Sequence, residues 1–528
     1  MARSKKASTI LEPEFKLLLE DRPPHAFRRL TSISQNELEG RLTGSLLLAV
    51  AAATCGSSFI FGYNIGVMNA PDQVIQTWIQ NVSYPYLHGS ELSKIRLTQI
   101  WSWIVGIFPL GGMFGGLACG WFADKFGRKG AMMVNNSFAI IAALIMSIAK
   151  VACCYPLLIV GRVIIGFNCG LNSGLAPMYL IEIAPINLSG MLGSVCQLMV
   201  TVAILVSNIL GLPYILGTPT LWPLLLVVPA LSAVFQLITL RFCPESPKYL
   251  LLLKKNEPDA VKALIKLRGK TEVSAELVMM QDEEERMAET PSLTFFDMFK
   301  SPVLAWSLTI AIVMMLAQQW SGINVAMYFS TNIFREGAKL TQAQASGATL
   351  GLSTLNVLMT LVSTLIVDRL GRKLLMLAGL GGMWVCGMCT VITLHLLEQD
   401  KELYQASAYF AIFFIYMFVA SFAFGPGSIP WFYVSEVFEQ NTRGKANALA
   451  VGVNWATNFL VGFTFLLWKN VVNEFSFLLY CGFVAVFWLF IFAFAPETKG
   501  RKLSDIIDEL NNQATAIARF FPGHKQRK

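Results

Sequence analysis

The charged residues of this chain collect in gaps. Between the gaps run twelve apolar stretches of about 20 residues, from 44–66 through 102–123, 156–177 and 304–326 to 475–495. About 20 apolar residues is the length a helix needs to cross roughly 30 Å of hydrocarbon. Inside a bilayer the backbone polar groups must be satisfied by the segment itself, which leaves helices as the form such stretches take. The chain is therefore expected to be an all-α membrane protein. Composition agrees: 14% of its residues are charged, against roughly 25% in a soluble domain.

The twelve stretches divide into two related sets of six. Asp124-Lys125-Phe126-Gly127-Arg128-Lys129 returns as Asp368-Arg369-Leu370-Gly371-Arg372-Lys373, 244 residues on and again between two apolar stretches. Glu182, ahead of Pro185 and Gly190, is echoed by Glu436 ahead of Arg443-Gly444 at an offset of 254. Pro244-Glu245-Ser246-Pro247-Lys248 is echoed by Pro496-Glu497-Thr498-Lys499-Gly500 at an offset of 252. Three pairs in one order indicate duplication. The fold class is thus twelve transmembrane helices as two six-helix halves with an intracellular helical insert. The boundaries read as an N-terminal tail (1–40), a first half (41–243), an insert (244–302), a second half (303–498) and a C-terminal tail (499–528). Ala260 to Leu267 has helical apolar spacing, so short amphipathic helices are expected in the insert; a flexible tether is the alternative.

With both termini cytoplasmic, only eight of the 41 Lys and Arg lie outside: Lys94, Arg96, Lys150, Arg162, Arg335, Lys339, Lys401 and Lys469. The positive-inside rule selects this orientation. The net charge of +8 is then a topology signal, and no basic groove for nucleic acid is indicated. Residues 1–40 lack an apolar h-region, so the first span is expected to direct insertion. Asn81-Val82-Ser83 falls in the long first external loop, which makes Asn81 the glycosylation candidate; the sequons at Asn135 and Asn187 fall in a membrane helix and on the cytoplasmic side. The Asn81 sequon and the lack of a retention signal point to the plasma membrane. Arg28-Arg29-Leu30-Thr31 reads as a kinase site or as a plain basic flank.

Two spans are interrupted, at Gln318-Gln319-Trp320-Ser321-Gly322-Ile323-Asn324 in the seventh and at Gly425-Pro426-Gly427-Ser428-Ile429-Pro430 in the tenth. Proline removes a backbone donor and clashes with the preceding turn, so the tenth helix must break there. Broken spans in carriers mark a mid-membrane binding site and moving gates. The polar residues at that depth are mostly neutral amides: Asn64, Gln197, Gln318, Gln319, Asn324, Asn356, Asn454 and Asn458. Amides and hydroxyls each donate and accept, so a ring of amides with Trp431 and Trp455 suits a neutral polyol with an apolar ring face. The first span carries Asn64 where proton coupling would need a buried titratable group, which favours uniport. No Walker loop, nucleophile–base set or paired metal-ligand motif occurs; Cys386-x-x-Cys389 lacks a second pair and reads as packing. Neither an enzyme nor a nucleotide-driven pump is expected, and no cofactor or metal.

These motifs together resemble the sugar-porter branch of the major facilitator superfamily, and most closely the facilitative (GLUT-type) hexose transporters, over roughly residues 40–505. The motifs that carry the resemblance are Gly161-Arg162, the two Pro-Glu-(Ser/Thr) runs, Gln318-Gln319 to Asn324, and Gly425 to Trp431. It implies passive, alternating-access movement of a hexose. It places sugar contacts at Gln197, Gln318, Gln319, Asn324, Asn356 and Trp431, with Phe422, Asn454 and Trp455 lining the cavity and Ile204 packing on the sugar. It also implies a cytoplasmic latch of Asp124, Arg128, Glu182, Glu245, Arg372, Glu436 and Arg443, with its pairs made across the halves when the carrier faces outward. This chain departs from the family pattern at Ser189, Lys248 and Ala423, where Arg, Arg and Glu are usual, and Met315-Leu316-Ala317 lacks a Gln-Leu-Ser run. Trp431 and Asn454 favour D-glucose. A fructose-preferring or dual-specificity uniporter, a proton–sugar symporter and a non-transporting sugar sensor stay open.

Overall fold

In the computed structural model all regular structure among the described residues is helical, and twelve helices are long and apolar enough to cross a membrane. The structure describes residues 40–289, 295–399, 404–438, 440–472, 475–499, 501 and 503–520. The tail motif around Thr31 lies outside them. Spans 1 to 6 are Gly44–Gly66, Lys94–Phe126, Arg128–Ile148, Pro156–Ile183, Met191–Leu210 and Trp222–Phe242. Spans 7 to 12 are Pro302–Glu336, Gln342–Ile366, Arg372–Leu396, Ser407–Trp431, Thr442–Phe465 and Ser476–Phe494. Span 2 outruns its apolar core of 102–123 at both ends, because Ser93 caps it at one end through Arg96 N–H and the helix continues to Phe126 at the other. Both expected breaks are present: one helix ends at Trp320 and the next begins at Ile323, and one ends at Phe424 before another begins at Ile429. Gly322 makes the first break with φ +87°, a left-handed conformation that only glycine adopts without strain.

Spans 2 and 4 of the first half pack along each other, and so do spans 9 and 10 of the second. The halves meet where span 2 runs along span 11 and span 5 along span 8. The approach is close enough that a Cβ on Gly112 would lie 2.4 Å from the Trp455 ring, and one on Gly116 3.0 Å from Val451. Toward the duplicated turns, a Cβ on Gly120, one turn beyond Gly116, or on Gly444, about two turns beyond Val451, would meet nothing within 4 Å.

Arg162 departs from the sequence reading, and three further features go beyond it. Arg162, counted among the outside charges, is wholly buried in span 4. Its Nε donates to the Ile104 carbonyl at 3.3 Å and Nη1 to the Asn64 carbonyl at 3.1 Å, with the guanidinium 4.4 Å from the Phe108 ring centre. The long loop after span 1 is a series of short helical turns, Asp72–Trp78, Ile79–Ser83 and Tyr84–His88. Asn81 is exposed on it, while Ser83 is buried, donating to the Cys153 carbonyl and accepting from Tyr155 N–H, both at 2.8 Å. Span 1 carries a π-helical stretch, Ala52–Ser58, whose freed Ala52 carbonyl accepts from Gln236 Nε2 at 2.9 Å. The C-terminal tail forms a helix, Leu503–Phe520, seated through buried Ile506 and Leu510 and through Trp306 Nε1 donating to Gln513 Oε1 at 3.0 Å. Its signal was the apolar spacing of Leu503, Ile506, Leu510 and Ala514.

The insert contains the helices Glu257–Arg268, Ser274–Glu289 and Phe295–Lys300. The first two are tied down by a buried ion pair, in which Arg268 donates to Glu276 at 2.7–3.0 Å through Nε and Nη2 and to the Ile183 carbonyl at 2.8 Å through Nη1. Removing one partner of a buried pair strands the other charge, at a cost of about 3–5 kcal/mol, whereas replacing both with apolar groups is far less harmful. Arg268→Met is thus expected to lower the melting temperature of the solubilised protein and speed proteolysis of the insert. Arg268→Met with Glu276→Leu should recover most of that loss; a double variant as unstable as the single one would contradict the assignment.

Candidate functional site

An open cavity lies between the halves beside the two helix breaks. Its wall includes Gln197 and Ile204 from span 5, Gln318, Gln319 and Asn324 from span 7, Asn356 from span 8, Phe422 and Trp431 from span 10, and Asn454 and Trp455 from span 11. The structure thus brings every residue that the resemblance marks for sugar contact, and the amide Asn458, to one space; Asn64 lies outside it, buried, with Nδ2 donating to the Ile60 carbonyl at 2.9 Å. It adds Phe61, Thr201, Met327, Thr360 and Ser428; these lacked a signal because aromatic, aliphatic and hydroxyl side chains are common throughout apolar helices. Ala423 also lines the cavity, and none of the lining residues carries a charge. Trp455 is held edge-on to Phe108 and tilted against Phe61, with ring centres 5.9 and 5.3 Å away.

The amides fall into two classes. Those at the helix breaks satisfy one another: Gln318 Oε1 accepts from Asn454 Nδ2 at 2.7 Å, Asn454 Oδ1 accepts from Gln319 Nε2 at 2.8 Å, and Gln319 Oε1 accepts from Asn324 Nδ2. Gln318 Nε2 also donates to the carbonyls of Pro426 and Gly427, both at 2.9 Å. These are carbonyls exposed by the break in span 10, so one side chain ties the two breaks together and satisfies groups that a membrane interior would leave unpaired. Gln197 and Asn356 face the same space with carboxamides that make no hydrogen bond among the described residues. The cavity therefore offers two uncommitted amides, a self-paired amide cluster and two indoles, which together fit a neutral polyhydroxyl ring.

The duplicated motifs build one network twice. In the first half Arg128 makes a bidentate pair with Glu182 at 2.8–3.0 Å, and Glu182 also accepts from the Ser246 hydroxyl. Glu245 accepts from Lys129 N–H at 3.0 Å, and Tyr179 donates to the Pro244 carbonyl at 2.7 Å. In the second half Arg372 pairs with Glu436 at 3.1 Å, Thr498 donates to Glu436, Glu497 accepts from Arg372 N–H at 2.8 Å, and Tyr433 donates to the Pro496 carbonyl at 2.9 Å. The turns need Gly127 and Gly371, at φ +80° and +94°, where a Cβ would also strike Glu245 or Glu497 at 2.5 or 2.7 Å. Asp124 lies 3.8 Å from Arg128, and Arg443 donates to the Phe438 carbonyl at 3.3 Å. In this conformation the Arg128–Glu182 and Arg372–Glu436 pairs are closed within their own halves rather than across them. Tyr179 and Tyr433, which the sequence reading passed over, sit 254 residues apart, the same offset as Glu182 and Glu436.

A family profile described as "Sugar (and other) transporter" matches residues 48–510. The facilitated glucose transporter protein 1 of Caenorhabditis elegans is 47% identical over 477 residues, covering 90% of this chain and 92% of that protein. The mouse solute carrier family 2, facilitated glucose transporter member 3 is 41% identical over 474 residues, covering 90% and 94%. The solved structure of the proton:xylose symporter XylE bound to 6-bromo-6-deoxy-D-glucose superposes with a TM-score of 0.72 at 24% identity, covering 90% of this chain and all of that one.

Proposed function

This chain belongs to the sugar-transporter family, and on that premise we propose that it is a plasma-membrane uniporter that carries D-glucose down its gradient by alternating access. It is a multi-pass sugar transporter and not an enzyme. The observation that carries the finer reading is the uncharged cavity: ten amide, aromatic and aliphatic residues converge on it and no carboxylate lines it. A coupled carrier needs a buried group whose proton affinity changes with the cycle, and the first-span position for one holds Asn64, which does not titrate. The relatives' names, facilitated glucose transporters, support the same substrate and mode. The face with the duplicated turns, the insert and both tails is the cytoplasmic one, by the distribution of Lys and Arg.

In this reading the sugar bonds first to Gln197 and Asn356 and then exchanges with the amides at the breaks, while Trp431 covers the ring. Each neutral hydrogen bond contributes about 1 kcal/mol net. Total binding near the millimolar range, about −4 kcal/mol, lets the sugar leave as readily as it arrives. On the cytoplasmic side the two duplicated turns would meet across the halves in the outward-facing state, as contacts additional to the pairs that each half closes within itself here.

The test is uptake of radiolabelled glucose and fructose into proteoliposomes, with and without an imposed pH gradient. Saturable glucose equilibration indifferent to the gradient is expected, with fructose slower. Accumulation driven by the gradient would overturn uniport, and fructose-only uptake would overturn the substrate. Trp431→Ala should weaken glucose transport more than fructose transport; equal loss of both would remove Trp431 as the selector.

A further inference from the structure

The end of the molecule opposite the duplicated turns is shut by contacts that cross from one half to the other. Asp72 follows span 1 in the first half, and Arg335 ends span 7 in the second. They form a forked pair, with Nη1 to Oδ1 at 3.0 Å and Nη2 to Oδ2 at 3.2 Å, and the Asp72 side chain is only 5% exposed. Gln73 N–H also donates to Asp72 Oδ1 at 2.6 Å, and Gln342 Oε1 accepts from Arg335 at 3.1 Å. Beside the pair, Asn69 reaches across the same seam. Its Nδ2 donates to the Met327 carbonyl at 3.1 Å and to Ser330 Oγ at 2.6 Å, and its Oδ1 accepts from Thr331 N–H at 3.1 Å.

We propose that Asp72 and Arg335 are positioning residues that latch this mouth and set how the empty carrier divides its time between its two orientations. A forked guanidinium–carboxylate pair holds direction as well as distance. Because each partner belongs to a different half, rocking the halves apart must break the fork and hydrate both groups together. The contact is therefore made in one state and absent in the other, and its strength biases the population without touching the sugar. The orientation of this bias rests on the carrier reading above, with this mouth facing outward.

The test measures uptake and efflux in vesicles of known orientation, for Asp72→Asn, Arg335→Gln and the exchange Asp72→Arg with Arg335→Asp. Weakening the latch should populate the state open at this mouth. Half-saturation for sugar presented at this mouth should fall several-fold, half-saturation at the other face should rise, and the exchanged pair should return both toward the starting values. Two constants that move together or not at all, or an exchange no better than the single variants, would overturn the proposal. A passive carrier must show equal Vmax/KM in the two directions in every variant, so inequality without an imposed gradient would fault uniport and leave the latch standing. A second readout does not need transport: labelling of Ser330→Cys by a membrane-impermeant maleimide, located by peptide mass, should rise several-fold on adding Asp72→Asn. Unchanged labelling would overturn the latch on its own.

Discussion

Gln318→Ala is expected to lower glucose uptake, as Vmax/KM, by tenfold or more. The side chain donates to the Pro426 and Gly427 carbonyls and accepts from Asn454, so its removal strands polar groups on two helix breaks at once. Each buried orphan costs about 1–3 kcal/mol, and about 1.4 kcal/mol is tenfold in rate. Gln197→Ala provides the contrast. Gln197 makes no hydrogen bond to the protein among the described residues, so its truncation should raise KM several-fold and leave the melting temperature unchanged. Uptake by Gln318→Ala that matches the parent protein, normalised to folded protein in the membrane, would take Gln318 out of the site.

Gly62→Val should abolish uptake outright. A Cβ on Gly62 would lie 2.1 Å from the Val200 carbonyl oxygen and 2.8 Å from its carbon. Backbone cannot turn aside as a side chain can, so spans 1 and 5 would have to separate by about 1 Å, a misplacement that can cost about a hundredfold in a positioned site. Span 5 carries Gln197 and Ile204 and span 1 carries Phe61 and Ile65, all on the cavity wall, so the shift falls on the site itself. Gly44→Val is the matched control, because a Cβ there meets nothing within 4 Å and transport should be retained. Full activity in Gly62→Val would mean that the two helices do not pack as closely as the structure has them.

Much of the site was legible because its signals are local. An amide in a long apolar run stands out whatever its neighbours, and Gly-Pro-Gly-Ser-Ile-Pro breaks a helix by its own sterics. Hence Gln318, Asn324 and Trp431 could be marked from the chain and the structure brings them to one cavity. What the amides do to one another was not legible. Gln318 and Asn454 are 136 residues apart, and nothing in either segment says that their carboxamides pair while those of Gln197 and Asn356 stay uncommitted. Arg162 was misplaced for the same reason: its position in the chain puts it near a span end, but only the packing of Ile104, Asn64 and Phe108 around it shows that it is buried.

The sequence alone therefore determined the twelve membrane spans, the two breaks and the duplicated turns, because apolar length, proline and glycine sterics and repetition act within one segment or between copies of it. Only the tertiary structure decided which end of the carrier is shut. That depends on Asp72 meeting Arg335 and Asn69 meeting Ser330, 263 and 261 residues further along the chain. Such contacts exist only once the two halves have packed.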